Sequence, residues 1–131
     1  MDFKVGDVVC ATYSGFDNVK HTGIFLIVYD EQNDSNVIEK FNVVAMKISS
    51  QTTVAGNYVL NVDRKKNDWF TGQSIILCSK LHTLDKRTNI YKKLGSFDSN
   101  TMLKVFKVYK RFVSEQERQM LEVLWFKKMI V

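Results

Sequence analysis

Residues 20–30 read KHTGIFLIVYD: a polar, partly cationic tetrapeptide runs straight into the apolar run Ile24-Phe25-Leu26-Ile27-Val28. Consecutive apolar residues rich in β-branched and aromatic types, closed by polar residues, predict a buried strand. That strand decides the fold class, because similar runs recur on both sides of it. Upstream, DVVCATY (Asp7–Tyr13) alternates behind Gly6 and predicts a first strand. Downstream, FNVVAMKIS (Phe41–Ser49), NYVLNVD (Asn57–Asp63) and the Ser74–Ser79 part of WFTGQSIILCS predict three more. The segments SGFDNVKHTG, DEQNDSN and RKKND read as the loops between them. Five or so strands at about 8–16-residue spacing predict a mainly β, α+β domain. Its expected form is a small antiparallel barrel rather than a set of βαβ units.

The pattern changes after residue 96. In GSFDSNTMLKVFKVYKRFV the apolar positions Met102, Leu103, Val105, Phe106, Tyr109 and Phe112 recur at helical spacing, with Asp98 as the expected N-cap. Ser114 with Glu117 forms a capping box, which predicts a second helix of about fourteen residues through Lys128. Its apolar residues (Met120, Leu121, Leu124, Trp125) predict packing on the domain, on a second copy or on another protein.

The chain of 131 residues is expected to form one domain, and its 45% hydrophobic and 25% charged composition is that of a globular protein. No apolar run approaches the roughly 20 residues a membrane span needs. The N-terminus carries no signal-peptide core, so a cytoplasmic location is expected. Cys10 and Cys78 stand alone inside strand-like runs, without a CxxC pair, which argues against a disulfide or a metal site; no cofactor is expected. Charge is uneven. Residues 80–112 hold 9 Lys/Arg against 2 Asp, whereas residues 1–79 hold 7 against 9 acidic residues. A basic segment of this kind suits a polyanion such as nucleic acid; it suits a solvated helix face equally well.

Four stretches, in order, carry a family resemblance: VGDVV, TGIFLIVYDEQND, VVAMKISSQ and SIILCSKLHTLDKRTNIYKKLGSFDSNTM. Together they resemble the MazF/PemK/Kid family of toxin ribonucleases, small SH3-like barrels with a C-terminal helix. The likeness covers roughly residues 4–112, and residues 113–131 extend past the usual family end. The resemblance implies metal-independent cleavage of single-stranded RNA by attack of the 2′-hydroxyl on the adjacent phosphorus. It also implies a homodimer and an antitoxin or other regulatory protein as partner.

Such cleavage needs a proton acceptor at the 2′-oxygen, a donor at the leaving 5′-oxygen, and positive charge or donors for the phosphoryl oxygens. One family branch supplies these with an Arg opening the second strand and a Thr ending the third. Carried over by position, these fall on Thr22 and Ser49. A second branch uses an Arg and an Asp at the end of the fifth strand, here Leu77 and Ser79, and a loop His near His21. The chain thus departs from both arrangements. Lys20 and His21 are the candidates to replace the missing Arg, with His82, standing where an Arg often precedes the Thr-x-Asp of the family, as a second acid–base group. Tyr13, Phe16, Lys80 and Gln51 are the candidate RNA contacts, the aromatics by stacking on bases. Trp69 and Phe70 are expected to cover the barrel or a dimer interface. The blander reading leaves Lys20, His21 and Thr22 as the solvated end of a hairpin loop. The matching alternative function is a catalytically inactive relative kept as a binding module for protein or nucleic acid, as a phage or mobile element would use.

Overall fold

The computed structural model describes residues 3–14, 17–31, 41–50, 58–62 and 74–130, the last five by backbone only. It contains β1 (Asp7–Ser14), β2 (Lys20–Asp30), β3 (Asn42–Ser49), β4 (Val59–Val62), β5 (Ser74–Asp85), β6 (Ile90–Ser96) and α1 (Ser99–Ile130). The mainly β, α+β class holds. The strand pairings among the described residues are antiparallel and build one sheet in the order β4-β5-β3-β2-β1-β6. The sheet has six strands rather than five, and it is open, with β4 and β6 as its edges.

The added strand is β6, where Lys92 and Lys93 interrupt any alternation. It forms because β1 offers a free ladder: Val9 pairs with Lys93 and Cys10 with Lys92. Strand β2 starts at Lys20, so Lys20, His21 and Thr22 belong to the ladder and not to a loop. They pair with Ser14, Tyr13 and Thr12. The turn before them is tight, with Asn18 at φ 58° and the Val19 N–H donating to Asp17 Oδ1 at 3.1 Å. Asn tolerates this left-handed conformation better than most residues. Strand β5 likewise runs on to Asp85, which places Lys80 and His82 inside it.

Alternation gives the sheet two apolar faces. Val8, Leu26, Met46, Ile76 and Cys78 line one face, and Met102 and Val105 of α1 pack on it. Val9, Phe25, Ile27, Val43, Ala45 and Leu84 line the other. Helix α1 is capped by Asp98, whose Oδ1 accepts the Thr101 N–H at 2.8 Å. It continues unbroken to Ile130, so the expected second helix is the same helix. No Gly or Pro lies between Ser99 and Ile130, and Ser114 therefore has no break to cap. Arg118 reaches Glu115 one turn away instead. Among the described residues no helix is long and apolar enough to cross a membrane.

Candidate active site

The second face ends in polar residues. Tyr13 on β1 lies opposite His21 on β2, with ring centroids 5.7 Å apart. Phe25 lies four residues further along β2, opposite Lys47 on β3. His82 lies on β5 opposite Ala45. Tyr13 is 5.9 Å from His82, and Phe25 sits edge-on beneath both, at 5.4 Å from Tyr13 and 5.3 Å from His82. Strands β1 and β5 are three spacings apart in the sheet, roughly 14 Å if it were flat. Contact between Tyr13 and His82 therefore requires curling of the sheet and inward reach of long side chains. The Val9–Phe25–Val43 face is the inside of that curl, and Tyr13, His21, Lys47 and His82 rim its mouth.

Lys47 Nζ donates to Tyr13 Oη at 3.4 Å. Gly23 keeps this region open: a Cβ there would meet Phe25 Cε2 at 3.2 Å and Lys47 Cε at 3.6 Å. Burial first, then the Lys47 and Lys80 ammonium groups, hold the His82 imidazole below its ordinary pKa. His82 is therefore neutral at pH 7 and able to accept a proton. His21 Nε2 lies 3.3 Å from Asp17 Oδ1. The Val19 N–H and the His21 side chain keep that exposed carboxyl below its usual range, so Asp17 is ionised.

The expected site residues divide between the faces. Tyr13, His21 and His82 come together, and alternation puts Ser49 on the same side as Lys47; Lys80 lies within the register shift of β5, close enough for its charge to act on His82. Lys20 and Thr22 fall on the opposite side. Thr22 Oγ1 meets Thr12 Oγ1 at 3.4 Å, facing away from the mouth. Phe16, Gln51, Trp69 and Phe70 lie outside the described residues. Sequence reasoning missed Lys47 and Asp17. Lys47 had a legible signal: it is the charged residue at an inward step of the Val43–Ala45–Lys47 alternation. Cys78 is no rival nucleophile, since burial pushes its thiol up to about 11. Among the described residues no three His, Cys, Asp or Glu side chains gather as a metal site would require.

The basic segment is partly consumed internally. Lys86 Nζ bonds both oxygens of Asp30 at 2.9 and 3.0 Å, Arg87 pairs with Asp85, and Lys93 lies 3.3 Å from the buried Asp7.

An open, curled antiparallel sheet with a single C-terminal helix packed on its outer face defines a class of small, mainly β proteins. The chain belongs, more particularly, to the PemK-like, MazF-like toxins of type II toxin–antitoxin systems, whose family model matches residues 4–113. No curated protein matches it.

Proposed function

We propose that this chain is the toxin of its toxin–antitoxin module, an endoribonuclease that cleaves single-stranded RNA without a metal ion. The observation that carries this reading is the convergence of His21, His82 and Lys47 around the Tyr13 ring. Neutral His82 takes the proton from a ribose 2′-hydroxyl as its oxygen bonds to phosphorus. His21 in its protonated form gives a proton to the 5′-oxygen as the P–O5′ bond breaks. Lys47, with the Ser49 hydroxyl, faces the charge that grows on the phosphoryl oxygens. The products are a 2′,3′-cyclic phosphate and a 5′-hydroxyl, and no water enters this step. Tyr13 stacks a base beside the scissile bond, and Lys80 holds a flanking phosphate. An antitoxin that covers this mouth would silence it, and the cytoplasm is where both RNA and antitoxin are met.

A second reading rests on Thr22. The residue at the family's Arg position carries no charge and faces away from the mouth, as a binding module that has lost catalysis would allow. One experiment separates the two. Purified protein is incubated with a mixed-sequence RNA in EDTA, the fragment ends are mapped, and His21→Ala and His82→Ala are run alongside. Cyclic-phosphate ends that vanish in both variants support the enzyme. Intact RNA with folded wild-type protein supports the binding module.

A further inference from the structure

At the mouth, His21 is held from two sides. On β1 the Tyr13 ring lies opposite it, with centroids 5.7 Å apart and the planes tilted by 33°. From the turn, Asp17 Oδ1 lies 3.3 Å from His21 Nε2 and accepts the Val19 N–H at 3.1 Å. One carboxylate oxygen therefore serves two donors. The local sequence prepares it: an Asp that accepts the N–H two residues on closes an Asx turn. Asn18, between the two, takes the left-handed conformation (φ 58°) that Asn tolerates. The side chains of His21 and Asp17 are 44% and 57% exposed, and an ordinary ion pair at that exposure loses most of its worth to side-chain entropy. Here the backbone has already fixed the acceptor, and Tyr13 backs the ring.

Donor counting then fixes the hydrogen. Asp17 is ionised, and a carboxylate only accepts, so the hydrogen of this contact sits on Nε2 and Nδ1 is the nitrogen that Asp17 does not hold. We propose that, in the ribonuclease reading on which this rests, Asp17 is a positioning residue: it holds His21 through Nε2, so that Nδ1 is the atom that gives a proton to RNA. Both ring nitrogens of the imidazolium carry a hydrogen. The Nδ1 proton passes to O5′ as the electron pair of the P–O5′ bond moves onto that oxygen, while the Nε2–H stays on Asp17. His21 is left neutral in the tautomer that Asp17 selects. Nδ1 regains a proton from solvent after the product leaves, and His82 returns to solvent the proton it took from the 2′-hydroxyl. The groups around the two rings differ in charge. Asp17 faces His21 from the turn, Tyr13 beside it is uncharged, and Lys20 falls on the opposite side of the ladder. Lys47 and Lys80 act on His82. A carboxylate beside one ring and two ammonium groups beside the other divide the roles of acid and base.

Two RNAs separate this role from a structural one: a normal strand, and the same strand with sulfur replacing the 5′-oxygen at the mapped cleavage site. A thiolate leaves without being protonated, so the sulfur strand needs no acid. Asp17→Asn keeps an oxygen for the Val19 N–H and removes the charge. It should slow single-turnover cleavage of the normal strand about tenfold, part of the roughly 10²–10⁴ that a general acid contributes. On the sulfur strand the losses of Asp17→Asn and His21→Ala should vanish, while that of His82→Ala persists. Added to His21→Ala, Asp17→Asn should cost nothing more. In the free wild-type protein, nitrogen NMR shifts of the neutral His21 ring should show the Nε2–H tautomer alone, and in Asp17→Ala a mixture. Four results would each overturn the role of Asp17: a rate within twofold of wild type in Asp17→Asn, a loss undiminished on the sulfur strand, a further loss on top of His21→Ala, or mixed tautomers in wild type. A wild type that cuts neither strand refutes the ribonuclease reading and the role of Asp17 with it, whereas any of those four in a wild type that cuts refutes the role of Asp17 alone.

Discussion

Lys47→Met removes the charge at the mouth while leaving its packing. Methionine keeps an unbranched stem of similar length, so the contact beside Gly23, where Lys47 Cε lies 3.6 Å from the site of a Cβ, persists. What disappears is the ammonium group 3.4 Å from Tyr13 Oη. Deleting one preorganised transition-state donor costs about 2.7–4 kcal/mol, so kcat/KM should fall by about 10²–10³. A second effect follows from the same atom. After burial, Lys47 is the largest cause of the depressed His82 pKa, so its removal should let that pKa rise toward 6.5. In wild type, activity should persist on the acid side of 6.5 and fall only as pH drops through the depressed value; in Lys47→Met the acid limb should move up. Stability carries the same sign. The folded state resists protonation of His82, so stability is lost as pH falls from the unfolded value toward the folded one, a window that narrows in the variant. The assays are kcat/KM on one RNA across pH and an NMR titration of the His82 ring. A variant within threefold of wild type, or an unmoved His82 titration, refutes the reasoning.

Gly23→Ala should push a methyl against the buried Phe25 ring, 3.2 Å from Cε2, costing about 1–2 kcal/mol. It should also lower kcat/KM through the displaced Tyr13 and His82; thermal melting and kinetics together check this. Lys86→Met should cost about 3–5 kcal/mol in urea unfolding. Its side chain and that of Asp30 are only 8% and 6% exposed, and breaking a buried pair leaves a charge without its cation. RNA binding should weaken with salt, but mildly. Three of the basic residues in 80–112 already pair with aspartates, so contact with three or four phosphates gives a log–log slope of about −2 to −3. A flat dependence in a binding titration would remove the electrostatic argument.

The strands that sequence made legible are those whose burial is one-sided or complete: β1, the Ile24–Val28 core of β2, β3 and the start of β5. Hydrophobic period reports burial, and these segments are buried. It was silent where polar residues break the period inside a paired strand. In the edge strand β6, exposed Tyr91, Lys92 and Lys93 interrupt the apolar pattern between buried Ile90 and half-buried Leu94, and the ladder of β1 completes the strand. The ends of β2 and β5 escaped for related reasons: Lys20–Thr22 are exposed while still hydrogen-bonded, and Lys80–Thr83 lie between buried Cys78 and Leu84 where a register shift breaks the alternation. Ser114–Glu117 misled in the opposite direction, since a capping box marks a helix start only where the preceding residues leave helical geometry. The candidate site inherits these errors. His21 and His82 were found as residue types, but their convergence on Tyr13, across the four adjacent strands β1, β2, β3 and β5, needed the register and the curl of the sheet.

Register also bears on the missing arginine. Successive residues of a paired strand face opposite ways, so His21 and Thr22 cannot serve one mouth. An Arg carried at Thr22 would leave from the Thr12 side of the ladder, away from Tyr13, Lys47 and His82. The positive charge at the mouth instead comes from β3, one strand further in, where Phe25 and Gly23 leave room for a flexible lysine to lie against Tyr13. A lysine there acts as a point charge rather than a two-pronged fork. It can offset charge on a phosphoryl oxygen, but it does not fix the orientation of the phosphate. In the proposed ribonuclease that task would fall to shape: the Tyr13 ring, the Phe25 floor and the imidazoles of His21 and His82. A mouth organised in this way depends on aromatic packing for geometry and on Lys47 for charge. The two contributions are therefore separable, with Gly23→Ala disturbing the first and Lys47→Met the second.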